Sequence, residues 1–133
     1  FDVYLYWAGQ ELVPQVNIDM YNNASSKALL FMVIVVAAPL SEEVLFRGFL
    51  FRGWMNSRLG TWGTVLLSSL IFAAIHVQYD GYGMLSVLIG GLGFAVARVR
   101  TNSLYPGIAA HAATNCAAYL TTAYVAVNQT ASV

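Results

Sequence analysis

Charge is what this sequence has least of. Of its 133 residues only 9% are Asp, Glu, Lys or Arg, six of each sign, against 59% hydrophobic. A soluble domain carries about 25% charged residues, so this chain lacks the polar surface to face water on all sides. The mean hydropathy of +0.65 agrees and favours a bilayer over an unusually apolar soluble bundle. Lys and Arg form no cluster, which excludes a nucleic-acid interface built on basic residues. A single cysteine, Cys116, excludes an intrachain disulfide and argues against a Cys-based metal site. There is no internal repeat, no low-complexity tract and no cleavable signal peptide. The sequence opens Phe1-Asp2-Val3-Tyr4 without an initiator Met, so it reads as a fragment, which leaves room for further helices outside it.

What the chain does have is long apolar stretches. Residues 1–26 are mixed and read as an interfacial or loop segment, or the tail of an earlier helix, with Tyr4, Tyr6 and Trp7 suited to the headgroup level. Residues 27–133 form the core. A helix start is expected at Ser25 or Ser26, both good N-caps. Four apolar stretches follow: Lys27 to about Trp54, Trp62 to about Val77, Met84 to Val99, and Leu104 to Val127. Spanning takes ~20 apolar residues, so the first and fourth are long enough, while the second and third need a bundle or a thinned bilayer. The expected fold is an all-α polytopic transmembrane bundle with about four spans. Small residues at Gly90, Gly91, Gly93, Ala109, Ala110, Ala112 and Ala113 suit close helix packing in lipid. In a simple zigzag, Arg52, Arg58, Arg98 and Arg100 share one side, which the positive-inside rule assigns to the cytoplasm.

Three polar features interrupt these stretches. The first is Glu42-Glu43 with Arg47, between Val33-Ile34-Val35-Val36 and Phe49-Leu50-Phe51. An ionised group at the centre of a membrane helix costs from ~3 to more than 10 kcal/mol, so three are kept only where something satisfies or uses them. Glu43 and Arg47 are spaced i,i+4 with the acid first, the favoured order for an ion pair. Glu42, ~100° round the helix, has no such partner and is free to act as a general base or acid. The plainer reading is a pair of interfacial charges near a helix kinked at Pro39. The second feature is His76 at the end of Phe72-Ala73-Ala74-Ile75-His76; the third is His111 with Asn115 one turn on. Alone, each of these would serve equally as a polar helix–helix contact.

Together they suggest chemistry. A carboxylate and an imidazole can hold and deprotonate a water, and a second imidazole with a carboxamide can bind a tetrahedral oxyanion. That set suits amide hydrolysis by activated water, with no Ser or Cys nucleophile; nothing in their spacing makes Ser68 or Ser69 one. Glu42, His76 and His111 would alternatively make a His₂Glu zinc set with an open position. Asn115 beside His111 favours the metal-free form, since a carboxamide is a poor zinc ligand. One geometric difficulty stands: on straight helices His111 lies ~10 Å and His76 ~20 Å from the arginine side. Tilt, a kink at Pro39 or Pro106, or a re-entrant segment must bring them together.

These motifs resemble a known family, the CPBP intramembrane proteases, also called the abortive-infection or CAAX-protease-like family and related to type II CAAX prenyl endopeptidases. The matching residues are Glu42-Glu43-x-x-x-Arg47, Phe72-x-x-x-His76 and His111-x-x-x-Asn115. Ala38-Pro39, Phe46-Arg47-Gly48 and Arg100-Thr101-x-Ser103-Leu104 are similar in the flanks, so the resemblance covers about residues 28–120. It implies that Glu42 and His76 activate the water, that His111 and Asn115 bind the oxyanion, and that Glu43 and Arg47 support the site. It also implies an integral membrane protein, of the plasma membrane in bacteria, acting on a peptide or protein substrate that is membrane-embedded or lipid-modified, with no required cofactor. Two rival expectations remain: a membrane scaffold or bacteriocin-immunity protein that binds a peptide in the same groove, and a proton or ion pathway through Glu42 and His76.

Overall fold

A computed structural model of the chain describes residues 13–131, and these fold into five helices. They are α1 (Gln15–Asn23), α2 (Lys27–Met55), α3 (Gly60–Ala74), α4 (Gly81–Thr101) and α5 (Tyr105–Ala131). The four apolar stretches read from the sequence are α2 to α5. No strand occurs among the described residues. Within residues 1–26 the chain forms α1, which buries Ile18 against Val13 and Ala126 of α5. Tyr4, Tyr6 and Trp7 lie outside the described residues.

Each boundary has a local cause. Ser26 caps α2, its hydroxyl accepting from Leu29 N at 3.2 Å. Asp80 caps α4 through Gly83 N at 2.8 Å, and Asn102 ends it in the left-handed region at φ 50°, a conformation Asn tolerates at a helix C-terminus. Pro106 falls in the first turn of α5, where a missing N–H costs nothing. Pro39 acts differently. It sits inside α2, and the six residues before Ala38, Met32–Ala37, wind as π-helix. A proline ring crowds the preceding turn and removes a donor, and a widened turn relieves both. The irregularity expected at Pro39 is therefore a π-helical stretch, and a second one, Val44–Leu50, follows the acid pair.

The distribution of polarity is inverted relative to a soluble protein. Glu43, Arg47, Thr64, Ser68 and Ser69 are fully buried, while Leu29, Phe49, Trp62, Val77 and Tyr105 are each more than 60% exposed. Leu40, Val44, Leu66, Leu70 and Ile89 add to the apolar outer face. In lipid, apolar burial no longer drives packing, and small faces and interhelical polar contacts hold the bundle instead. On α3, Thr64, Ser68 and Ser69 turn their hydroxyls back onto Gly60 and Val65 carbonyls, so neither serine is presented as a nucleophile.

Two helices, α2 and α4, are long and apolar enough to span a membrane. The expectation that the first and fourth stretches would be the long apolar ones is thus half met. Polar flanks extend α4 to 21 residues. Helix α5 has ample length at 27 residues, but His111, Thr114, Asn115, Thr121, Thr122 and Asn128 dilute its apolar character. Helix α3, at 15 residues, is apolar but short. Arg52, Arg98, Asn102 and Tyr105 line one groove between α2 and α5, so the arginine-bearing ends come together as the zigzag requires.

Candidate active site

Between its two π-helical stretches, α2 runs as regular helix from Ala38 to Glu43 and carries both acids at the last turn. One residue apart on a helix, Glu42 and Glu43 diverge by ~100°, and their surroundings differ accordingly. Glu43 is fully buried, whereas the Glu42 side chain is 28% exposed.

Glu43 belongs to a closed polar network. Arg47 Nη1 donates to Glu43 Oε1 at 3.0 Å, and Arg47 Nη2 donates to the Gly91 carbonyl on α4 at 2.8 Å. The guanidinium lies 4.5 Å from the centre of the Phe72 ring and 5.7–5.8 Å from those of Phe94 and Phe46. The i,i+4 ion pair anticipated from the sequence is therefore present, and breaking one so buried costs ~3–5 kcal/mol because the surviving charge is left without a partner. Glu43 Oε1 also accepts from His111 Nδ1 at 3.2 Å. A carboxylate oxygen flanked by a guanidinium can only accept, so His111 carries its proton on Nδ1, and Nε2 faces outward. That nitrogen stands 3.7 Å from Glu42 Oε2. His111 thus lies between the two acids, held by one and turned toward the other.

His76 sits two residues beyond the last turn of α3, and its Nδ1 lies 2.7 Å from the Phe72 carbonyl. Since a carbonyl cannot donate, Nδ1 bears the hydrogen and Nε2 keeps a free lone pair. The same bond folds the ring back along α3. Phe72 then links the two imidazoles, its ring centre 4.8 Å from that of His76 and 5.7 Å from that of His111. His76 thus turns back toward Phe72, and the two imidazoles meet the same aromatic ring. Glu42, His76, His111 and Asn115 line a single cavity of about 350 Å³, with Phe72, Tyr79, Phe94 and Tyr119 on its walls.

Asn115 is committed in part. Its Nδ2 donates at 2.9 Å to the Ile34 carbonyl in the first π-helical stretch. A carboxamide nitrogen has two hydrogens, so one donor remains beyond that bond. The geometry leaves His111 Nε2 and this second Asn115 N–H on one helix, a turn apart.

The three residues weighed as a zinc set are not assembled as one. Among the described residues no three His, Cys, Asp or Glu side chains are arranged to hold a metal ion. Glu43, the carboxylate closest to His111, is already taken by Arg47.

Several contributors escaped the sequence reading. Phe94 of α4 stacks on His111, ring centres 4.8 Å apart and planes at 17°, yet nothing in its spacing marks it off from an ordinary core aromatic. Gly91 was visible only as part of a small face; a Cβ there would meet Arg47 Nη2 and Phe72 Cδ1 at 3.1 Å. Gly107 lies against the acid network, where a Cβ would come within 3.0 Å of Glu43 Oε2. Arg98, counted among the arginines of the cytoplasmic side, is buried at 7% exposure.

Over residues 4–117 the sequence matches the family described as type II CAAX prenyl endopeptidase Rce1-like. An uncharacterized 24.3 kDa protein of Escherichia coli is 36% identical over 85 residues, covering 62% of this chain and 39% of that protein. YpbD of Bacillus subtilis is 28% identical over 98 residues, 72% of this chain and 46% of the relative. A Mycoplasma capricolum protein is 37% identical over 71 residues, 52% and 20% of the respective lengths. The chain therefore spans less than half of each of these relatives. No solved structure matches it. The match covers α1 to α4 and the His111–Asn115 turn of α5, and with it the residues that converge on the cavity: the chain belongs to the membrane-embedded Rce1-like family of type II CAAX prenyl endopeptidases.

Proposed function

We propose that the full-length protein is an intramembrane endopeptidase that hydrolyses a peptide bond by a water activated at Glu42 and His76, with no metal. The observation that carries this reading is the opposition of Glu42 and His111 across 3.7 Å in a cavity that His76 and Asn115 also line. Glu42, without an ion-pair partner on its own helix, takes a proton from water. The Nε2 lone pair of His76 accepts the water's other hydrogen and aims its oxygen. As the hydroxide bonds to the scissile carbonyl carbon, the C=O electron pair moves onto oxygen. His111, its Nδ1–H held by Glu43, and Asn115, with its second N–H, bind that oxygen. The oxyanion collapses, the C–N bond breaks, and the proton on Glu42 passes to the leaving nitrogen. General acid–base catalysis of this kind contributes ~10²–10⁴-fold, and an oxyanion donor ~10²–10³-fold.

The cavity walls are largely apolar, which suits a membrane-embedded or lipid-modified peptide or protein substrate. The relatives named above come from bacteria, which supports a bacterial plasma membrane as the site of action, and the positive-inside rule favours the arginine-bearing ends of α2 and α4 on its cytoplasmic side.

The test is cleavage of a peptide library by the full-length protein in lipid nanodiscs, with and without a chelator. Glu42→Gln should lower turnover at least ~100-fold with a nearly unchanged melting temperature, because its carboxylate is 28% exposed and its contact with His111 Nε2, at 3.7 Å, is longer than a hydrogen bond. Chelation should leave cleavage unchanged. Normal cleavage by Glu42→Gln would remove Glu42 as the base, and loss on chelation restored by zinc would replace this mechanism with a metal-dependent one.

A further inference from the structure

The two π-helical stretches of α2 flank the acid pair, and each is held from outside through one backbone carbonyl. In the first, Met32–Ala37, the Ile34 carbonyl accepts from Asn115 of α5. In the second, Val44–Leu50, the Arg47 carbonyl accepts from Arg98 Nε of α4 at 3.2 Å. A π turn puts backbone carbonyls out of the regular i+4 ladder, where a side chain from another helix can engage them, and such stretches concentrate at functional sites.

Arg98 is an unusual residue to spend on this. It is buried, and among the described residues no carboxylate pairs with it; its Nη1 donates at 2.8 Å to Asn102 Oδ1, one turn on. Asn102 in turn adopts the left-handed conformation that ends α4. The Arg98 guanidinium is bonded, in this set of contacts, to a backbone carbonyl and a carboxamide, so it gives up solvent there without an opposite charge. Pure packing does not explain it. Its carbonyl partner does, because Arg47 is the residue whose side chain holds Glu43, and Glu43 holds His111.

We propose that Arg98 is a positioning residue for the active site. By fixing the Arg47 carbonyl it sets the width of the π turn that places Arg47 Nη1 on Glu43, and so keeps the His111 Nδ1–H on Glu43 and its Nε2 toward Glu42. Arg98 does not line the cavity that holds those groups; it faces the separate groove between α2 and α5. Its effect on catalysis therefore runs through the backbone of α2. This inference rests on the peptidase reading for its kinetic consequence, but its structural consequence is independent of that reading.

Two measurements on the full-length protein separate them. The first is ¹⁵N NMR of the histidine side chains, with the His111 signals assigned by their loss in His111→Gln. Arg98→Met, which keeps the length of the side chain and removes its donors, should abolish the signature of Nδ1–H donated to carboxylate. The second is cleavage kinetics. Arg98→Met should lower kcat ~10-fold or more with KM within twofold, and in a Glu43→Gln background the same change should cost less than twofold, since the residue it acts through is already gone. An altered His111 signal in a protein that cleaves nothing would uphold the positioning role and refute the peptidase reading. A His111 signal unchanged by Arg98→Met would overturn the proposal, whether or not the melting temperature falls. Losses that multiply in the Glu43→Gln background would overturn it equally.

Discussion

Replacing Gly107 by alanine tests the most compact part of the site. Gly107 is buried on the first turns of α5, and a Cβ there would stand 3.0 Å from Glu43 Oε2, with Glu43 Cδ and the Phe94 carbonyl each at 3.7 Å. The carboxylate cannot yield easily, because its other oxygen is held at 3.0 Å by Arg47 and 3.2 Å by His111. Inserting a methyl into packed surroundings costs ~1–3 kcal/mol, and a rigid partner puts this case in the upper part of that range. Gaining a better helix former returns about 0.5–1 kcal/mol. The net expectation is a loss of about 1–2 kcal/mol in stability. If the carboxylate swings aside instead, the His111 contact breaks and turnover falls ~10-fold or more, the scale expected when a supporting group for a catalytic residue is lost. Gly93→Ala is the internal control: the same substitution on α4, with nothing within 4 Å of the new atom, should be neutral or stabilising. Melting in detergent and peptide cleavage would be followed for both variants. A Gly107→Ala protein that melts no lower than Gly93→Ala and cleaves normally would show that Glu43 does not pack against α5.

Two further outcomes follow from the same network. Arg47→Lys offers one point charge where the guanidinium spans Glu43 and the Gly91 carbonyl, so it should lose one charge-assisted bond, about 1.5–3 kcal/mol. Arg47→Met should lose ~3–5 kcal/mol by stranding Glu43, and thermal unfolding that ranks methionine above lysine would contradict the buried ion pair. Phe72→Ala removes the ring that touches Phe46, Arg47, His76 and His111; it should cost ~3–5 kcal/mol and cut cleavage, while Phe72→Leu should recover most of the stability but not the activity. A leucine variant with full turnover would reduce Phe72 to a filler.

Apolar character, the approximate extents of α2 to α5 and most of the polar residues that meet were legible in the sequence alone. Those are local quantities: charge content, run length, the Ser26 cap, and the i,i+4 spacing that pairs Glu43 with Arg47 before any tertiary contact forms. It also separated Glu42 from Glu43, since only Glu43 stands i,i+4 to Arg47. What it could not decide were relations between helices. That His111 is oriented by Glu43 depends on α5 crossing α2 at Gly107, and Gly107 has no side chain to announce the crossing. That His76 and His111 share one aromatic neighbour, Phe72, depends on how α3 packs against α5. Arg98 looked like a topological charge at the end of α4, and only the packing of α4 on α2 directs it to the Arg47 carbonyl. The π-helical turns lie between these cases: Pro39 signals a disturbance in α2, but the form it takes depends on side chains of α4 and α5 that donate to the displaced carbonyls.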